Sequence, residues 1–559
     1  MNHLMADNNE LVFAPLGGVG EIGMNLGLYG IGPRKQRQWL IVDLGMSFAG
    51  EEAPGVDLVM PDIRFLESVK DRIAGLVLTH GHEDHVGAML DLWPRIGCPV
   101  YTTRFTAALL DAKRLQEPGA PKIPIEVVRS GGRAQIGPFE VEFVPVAHSI
   151  PDSHALAIRT AAGLVLHTGD WKLDPTPVVG HVTDIARLQA LGDEGVRAMI
   201  CDSTNAIRDG VSPSEADVAA TLRDVVAKAK YRVAFTTFSS NVARVRAIAE
   251  AAYANDREVV VVGRAMERVI GVAREQGMLD GLPAFRGADA FGFLPRDKVV
   301  AILTGSQGEP RAALSRIATD DHPEIALSHG DLVVFSSRTI PGNEKVVNTV
   351  INGLVKRGIK VMTDKDGLVH VSGHPRRGEL EQMYKWVRPQ VSVPVHGEPL
   401  HLTEHAALAK ALGVPEVVSC ADGHVIRLAP GHAERVEDVP YGRLYKDGRL
   451  LIPDSARTIP ERRRLAYVGI VSVALAVDNR GNLVGDPSVE ITGIPERGEG
   501  GIDFLDLILD TVVTTAEGLP KARRRDPDAM SDSIERAVRG AVNGAWGKKP
   551  VCHVHIVEV

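Results

Sequence analysis

Short apolar runs that close in polar or glycine-rich turns recur through the first 205 residues. LVFAPLGG (11–18), WLIVDLG (39–45), GLVLTHGH (75–82), FEVEFVPVAHS (139–149) and GLVLHTGDW (163–171) are rich in strand-forming residues, and each predicts a strand. Several carry their chemically capable residue at the C-terminal end, which suits a site at a sheet edge where loops emerge. From 206 to 362 the pattern changes to strands alternating with amphipathic helices. RVAFTTFSS (232–240), EVVVVGRA (258–265), KVVAILTGS (298–306) and DLVVFSS (331–337) read as strands, and NVARVRAIAEAAYAN (241–255) as the clearest helix. Such alternation predicts a parallel-sheet α/β domain with a nucleotide-sized crevice at the strand ends.

Histidine-bearing segments return between 363 and 430, in VHVSGH and VPVHGE. Residues 1–205 and 363–430 therefore read as two parts of one domain, with 206–362 inserted between them. The stretch 431–455, containing PYGRLYKDGRLLIPD, is expected to be a linker. Residues 456–559 predict a small α+β domain: a strand (YVGIVSVALAVD), helices (DFLDLILDTVVTTAEGL and SDSIERAVRGAV) and a final strand (VCHVHIVEV). No internal repeat or long low-complexity segment is visible.

With 559 residues, the chain exceeds one hydrophobic core, and about two to four domains are expected. The net charge of −8, from 63 basic and 71 acidic residues, repels polyanions. Affinity for nucleic acid must then come from a local basic groove or a bound metal. The basic run KARRR (521–525) could meet RNA, although an exposed, charged helix end accounts for it better. Cys98, Cys201, Cys420 and Cys552 include no C-x-x-C pair, which excludes a zinc ribbon and favours a reducing compartment. The opening MNHLMADNNE lacks a basic stretch followed by an apolar one, and no membrane-length apolar run follows. A cytoplasmic protein without a membrane partner is expected.

Gly18, Gly20 and Gly23 spell G-x-G-x-x-G, and Asp43 follows where a dinucleotide-binding fingerprint would place an acid. That fingerprint needs a helix to begin inside the glycines. Here MNLGLYGIG follows with an alternating pattern, so a glycine-rich hairpin turn is the expectation and a nicotinamide cofactor is rejected.

The decisive stretch is Thr79-His80-Gly81-His82-Glu83-Asp84-His85, between the strand GLVL and the helical run VGAMLDLW. Crowding three imidazoles and a carboxylate into so short a segment is unfavourable unless a cation is shared. The H-x-H pair can address one ion from a tight loop, and the D-H pair a second. Further ligands are available at strand ends: His148 after FEVEFVPVA, Asp170 after GLVLHTG, where a carboxylate could bridge both ions, and His396 after VSVPV. Two metals about 3.5–4 Å apart can lower the pKa of a shared water and stabilise both attacking and leaving oxygens.

H-G-H-E-D-H followed by a single histidine and T-G-D resembles the metallo-β-lactamase superfamily. CDSTN (201–205), HVSGHP (370–375) and PVHGE (394–398) are similar to its β-CASP branch, whose members act on nucleic acids. PLGGVGEIGMN, FTTFSSNVAR (235–244), LTGSQGEP (303–310) and SSRTIPGNE (336–344) together resemble bacterial ribonuclease J, in family order through about residue 450. The resemblance implies an αββα sandwich with an inserted β-CASP domain and a small C-terminal α+β domain. It further implies two Zn2+ ions, one on His80, His82 and His148 and the other on Asp84, His85 and His396, with Asp170 bridging. Mn2+ or Mg2+ could substitute. Superfamily members that bind iron carry Glu where this chain has His82. Degenerate paralogues have lost several ligands that this chain keeps.

In that reading Asp84 and Asp170 orient the attacking water. His374 stabilises the transition state or protonates the leaving 3′-oxygen, or else merely satisfies a carboxylate. Asp202 matches the branch's first acidic motif and would orient His374 or the ligands. Ser239, Ser240 and Asn241 lie where a strand gives way to a helix, a place that binds phosphate but equally forms an ordinary N-cap. His370, Val371, Ser372, Gly373 and His374 are expected to line the scissile phosphate. Gly305, Ser306, Gln307 and Gly308 could approach a nucleotide backbone, and Arg264 and Arg338 could contact phosphates. An extra structural cation near Asp447 is a further expectation.

The expected activity is 5′-to-3′ exonuclease action on single-stranded, 5′-monophosphorylated RNA, with endonuclease activity, in rRNA processing and mRNA decay. A homodimer or homotetramer, with partners in an RNA-decay complex, is implied. The alternatives are a DNA-directed β-CASP nuclease, a structural subunit of a decay complex, and, more weakly, a lactam, thioester or phospholipid hydrolase.

Overall fold

The computed structural model describes residues 10–340 and 342–559. The reading of the first nine residues as lacking a leader lies outside the described residues. The chain forms two compact units: residues up to 48 with 58–444, and 49–57 with 445–559.

In the first unit, two sheets face each other. One has eight strands in the order Glu434–Asp438, His424–Ala429, Leu11–Gly17, Leu26–Ile31, Gln38–Val42, Ile73–Val77, Val100–Thr102 and Ile125–Val127. The other has seven: Glu416–Val417, Val391–Val395, Val196–Asp202, Gly163–His167, His154–Thr160, Phe139–Pro145 and Arg133–Ile136. Phe13, Tyr29 and Leu40 of the first meet Phe143, Leu156 and Ile200 of the second in one buried cluster. Helices Ile185–Glu194, Arg377–Val387 and Pro399–Ala411 cover the outer face of the seven-stranded sheet through Leu188, Leu380 and Leu408. Val391–Val395 pairs in parallel with Val196–Asp202, so a late segment returns beside an early one.

Between them in sequence lies an all-parallel sheet, ordered Glu258–Val262, Val299–Leu303, Val233–Thr236, Leu332–Phe335 and Lys360–Met362. Helices bury both of its faces, which is why its strands read as continuous apolar runs. Phe105, Leu109 and Ile150 from the two-sheet part join one of these cores.

The glycine-rich opening is a hairpin. Leu11–Gly17 pairs antiparallel with Leu26–Ile31, and Gly18, Gly20 and Gly23 take φ of 87°, 89° and 110°. No helix begins there, so a pyrophosphate would meet no aligned amides.

The stretch 431–455, expected as a linker, carries strands. Glu434–Asp438 pairs with His424–Ala429 at the edge of the eight-stranded sheet, and Arg443–Asp447 and Leu450–Pro453 are also strands. An edge strand needs little apolar surface, and the charged ERVED carries almost none to betray it.

In the second unit, Ser488–Thr492, Ile470–Val477 and Val551–Glu558 form a sheet. Val471, Val473 and Cys552 pack against Phe504, Ile508, Ile534 and Val538 of helices Phe504–Gly518 and Pro527–Trp546. The strand expected from YVGIVSVALAVD starts only at Ile470, because helix Thr458–Val468 precedes it and ends at Gly469. KARRR supplies the short helix Lys521–Arg524. The Asp447 carboxylate pairs with Arg462 rather than standing open for a cation, and no potential metal cluster among the described residues includes it. No described helix is long and apolar enough to cross a membrane.

Candidate metal centre

Strand Ile73–Val77 delivers the chain into a turn at Thr79–His82, and helix Glu83–Val86 starts at once, with the His82 carbonyl accepting from His85 N (3.0 Å) and Val86 N (2.9 Å). The turn is held from below by Asp43. Its carboxylate accepts from Thr79 N at 2.8 Å and from Thr79 Oγ1 at 2.9 Å. Gly45 lies against the next stretch so closely that a Cβ there would sit 1.7 Å from the Asp84 carbonyl oxygen. Only glycine lets the backbones approach this far.

Each imidazole on one side of the centre has its outer nitrogen engaged. His148 Nδ1 donates to the Gly373 carbonyl at 2.7 Å, His82 Nε2 faces Ser240 Oγ at 3.1 Å, and His80 Nδ1 faces Thr79 Oγ1 at 3.0 Å. A neutral imidazole carries one proton, so the inner nitrogens are left as lone pairs. Those converge: His82 Nδ1 lies 3.1 Å from His80 Nε2 and 3.0 Å from His148 Nε2. Three lone pairs facing one another repel unless a cation lies among them. The same logic holds opposite, where His85 Nδ1 donates to Asp43 at 2.6 Å and His396 Nδ1 to Asn25 Oδ1 at 2.9 Å. His396 Nε2 is buried with no hydrogen-bond partner. This donor set fits divalent metal.

Asp170 joins the halves. Its Oδ2 lies 3.2 Å from His85 Nε2, 3.4 Å from His396 Nε2, 3.7 Å from His148 Nε2 and 3.8 Å from His80 Nε2. Asp84 Oδ2 stands 3.6 Å from His85 Nε2 and 3.7 Å from His396 Nε2. His80, His82, His148 and Asp170 thus make one potential metal group, and Asp84, His85, Asp170 and His396 a second. His396 takes a left-handed φ of 53°. The strain is held in place by its N–H, donating to Gly18 O at 2.8 Å, and its carbonyl, accepting from Thr204 Oγ1 at 3.1 Å.

Burial pushes His80, His82 and His148 below their ordinary value, His82 to about 4, which keeps them neutral as ligands must be. Burial acts likewise on His85 and His396, but the facing carboxylates, Asp170 foremost, outweigh it and raise both. For Asp170 burial alone would raise the carboxyl, yet His396 and His85 hold it well below the usual range. Protons gather where positive charge is wanted.

His374 Nδ1 lies 2.7 Å from Asp202 Oδ2 and 3.9 Å from Asp170 Oδ2. Burial disfavours its charged form, but Asp202 and Asp170 override this and lift it to about 9. Asn205 Nδ2 donates to Ser372 Oγ (2.9 Å) and to the His374 carbonyl (3.1 Å), seating the HVSGH turn. Gly373 packs on His148, where a Cβ would meet the ring at 2.7 Å. Val371 is buried in the core, and His370 Nδ1 is buried without a partner.

Among the helix-start residues, Ser240 reaches His82, while the Asn241 side chain caps helix Val242–Tyr253 by accepting from Arg244 N at 2.9 Å. Ser239 is half-buried beside them. Gln307 turns inward, its side chain donating to Arg338 O (2.9 Å) and accepting from Ile340 N (2.8 Å), so it braces a loop, and Ser306 is buried with it. Gly305 and Gly308 take φ of 109° and 77°. Arg264 is exposed at the start of its helix. Sequence reasoning missed Asn25, Asp43 and Thr79 as positioning groups. Asn25 ends the PLGGVGEIGMN motif and Asp43 ends a strand, but neither spacing says that they meet His396 and His85.

Family models match along nearly the whole chain: a beta-lactamase superfamily domain over 39–230, a ribonuclease J beta-CASP domain over 230–354, a Zn-dependent metallo-hydrolase RNA specificity domain over 358–419 and a ribonuclease J C-terminal domain over 457–559. The chain is 52% identical to ribonuclease J of Sinorhizobium meliloti, covering 100% of this chain and 99% of that one. It is 42% identical to ribonuclease J of Corynebacterium glutamicum, covering 98% and 76%, and 40% identical to that of Mycolicibacterium smegmatis, covering 97% and 96%. A solved protein of unknown function from Enterococcus faecalis, 17% identical, shares the fold over 75% of this chain and 100% of its own, with a TM-score of 0.52. The two-sheet sandwich is a metallo-β-lactamase fold, the parallel sheet is its β-CASP insertion, and the chain, a metal-dependent nuclease, belongs to the ribonuclease J family.

Proposed function

We propose that this chain degrades single-stranded RNA from the 5′ end, prefers a 5′-monophosphate, also cuts internally, and serves rRNA processing and mRNA decay. The observation that carries the reading is the gathering of five imidazoles within 3.2–3.9 Å of one carboxylate oxygen of Asp170, at the foot of the HVSGH turn. His80, His82 and His148 would hold one Zn2+, Asp84, His85 and His396 another, and Asp170 both. Mn2+ or Mg2+ are substitutes that such ligands accept. Bound there, two such ions supply Lewis acidity toward phosphate and a water more acidic than bulk.

The chain's own groups do the rest. Asp84 and Asp170 orient the attacking water. Asp202 holds His374 at Nδ1, so Nε2 hands its proton to the leaving 3′-oxygen. The main chain of Ser372 and Gly373, with His370 and Val371 behind it, lines the scissile phosphate. Ser239, Ser240 and Asn241 bound a pocket one nucleotide upstream, which admits a monophosphate and excludes longer 5′ groups.

The outer face of the C-terminal sheet, where Ala474, His553, His555 and Val557 are exposed, supports a homodimer or homotetramer. Four unpaired cysteines support a reducing, cytoplasmic setting. The test compares matched RNA bearing 5′-monophosphate, 5′-triphosphate or 5′-hydroxyl, and a matched DNA strand, with elemental analysis of the protein. Equal rates on all three RNA ends would remove the pocket. Faster cleavage of DNA would reassign the substrate.

A further inference from the structure

Three loops meet around the HVSGH turn, and each carries an arginine. The 203–208 loop touches the 372–377 loop through Asn205 Nδ2 to His374 O (3.1 Å) and Arg377 N to Arg208 O (2.9 Å). The loop after Leu332–Phe335 reaches the chain just ahead of the HVSGH turn through Ser336 Oγ to Val369 O (2.7 Å). The charges that result are Arg208, Arg338 and Arg376, all half-buried. Burial and then the neighbouring guanidiniums disfavour the charged form of Arg208, with Arg338 and Arg376 both acting on it. Burial likewise disfavours the charged form of Arg338; Asp364 relieves this in part and Arg376 adds to it.

Their neighbour Arg377 shows what a structural arginine looks like here, with Glu404 at 3.3 Å and Asp209 at 3.6 Å. Among the described residues, no carboxylate lies within ion-pair distance of Arg208, Arg338 or Arg376, Asp364 included. Three like charges drawn together without a paired acid raise the energy of the free protein, and a polyanion lowers it. In a chain with net charge −8, this is the local basic surface that nucleic-acid binding requires.

We infer that Arg208, Arg338 and Arg376 form a phosphate clamp on the sugar–phosphate backbone of the single-stranded substrate, beside the scissile position rather than at it. The inference rests on the proposed action on RNA and adds to it a specific grip. Guanidinium forks suit phosphate oxygens bidentately, and backbone contact is indifferent to base sequence.

Binding of a cleavage-resistant, phosphorothioate-linked RNA strand to the metal-loaded full chain is measured across salt concentrations. Each phosphate contact on a single strand contributes a slope of about 0.7 in log affinity against log salt. Arg208→Gln, Arg338→Gln and Arg376→Gln should each flatten the slope by about that amount, and the triple variant by about 2. The triple lysine variant should keep most of the slope. Arg133→Gln, on an outer strand paired with Glu140, should behave as the unaltered chain. A folded glutamine triple with unaltered slope and affinity overturns the clamp, as does a lysine triple as flat as the glutamine one, since packing would then explain the loss. If the unaltered chain neither binds nor cuts RNA, the proposed function itself fails. If it does both and the triple matches it, only the clamp fails.

Discussion

Asn25 and Asp43 make the centre more than a set of candidate ligands. Asn25 accepts from His396 and donates through Nδ2 to the Asp84 carbonyl at 3.1 Å, while Asp43 fixes His85. Asn25→Ala or Asp43→Asn should reduce metal affinity or turnover about 10–100-fold, measured by metal titration, because the rings lose their aim. His80→Ala should take turnover to background and leave the far-ultraviolet circular dichroism spectrum unchanged. Asp422 predicts a pH effect on stability. Burial, then Glu21, push its carboxyl up to about 8. The folded chain therefore keeps a proton that the unfolded chain has already released, and stability should fall as pH rises from the ordinary carboxyl range to about 8. Thermal melts of Asp422→Asn should lack that decline. At this scale HGHEDH was legible because unlike neighbours in sequence must share one small volume. Asn25 was not, because its meaning lies in a contact with His396, 371 positions further along the chain.

The element that ties the insertion to the sandwich is helix Val242–Tyr253. Arg244 in its first turn is fully buried and donates to Glu215 Oε2 at 2.9 Å, to Ser336 Oγ at 2.6 Å and to Val369 O at 3.0 Å. One guanidinium thus joins three segments that converge on the HVSGH turn. Arg244→Leu should destabilise the chain by about 3–5 kcal/mol in urea unfolding, because buried Glu215 stays behind with only Lys172, at 3.9 Å, to answer its charge. Periodicity located this helix well, since its strand and helix neighbours are buried on predictable faces. It failed for Glu434–Asp438, whose place at a sheet edge depends on hydrogen bonds rather than on apolar side chains.

For the whole molecule, a chain ending near residue 455 should keep its metal content and lose self-association in light scattering, if the C-terminal sheet is the assembly element. Unchanged mass would place the interface elsewhere. The order of strands and helices, the insertion and the main ligand cluster were all written in local pattern: alternation, run length and the crowding of imidazoles. These depend on neighbours in sequence, and a sequence displays neighbours. Tertiary structure alone decided which distant groups complete the candidate metal site, that Gln307 braces a loop, and that Arg208, Arg338 and Arg376 come onto adjoining loops with no carboxylate of the described residues at ion-pair distance. Such facts arise where loops from separate strands are brought within a few ångströms, and no spacing along the chain encodes that distance.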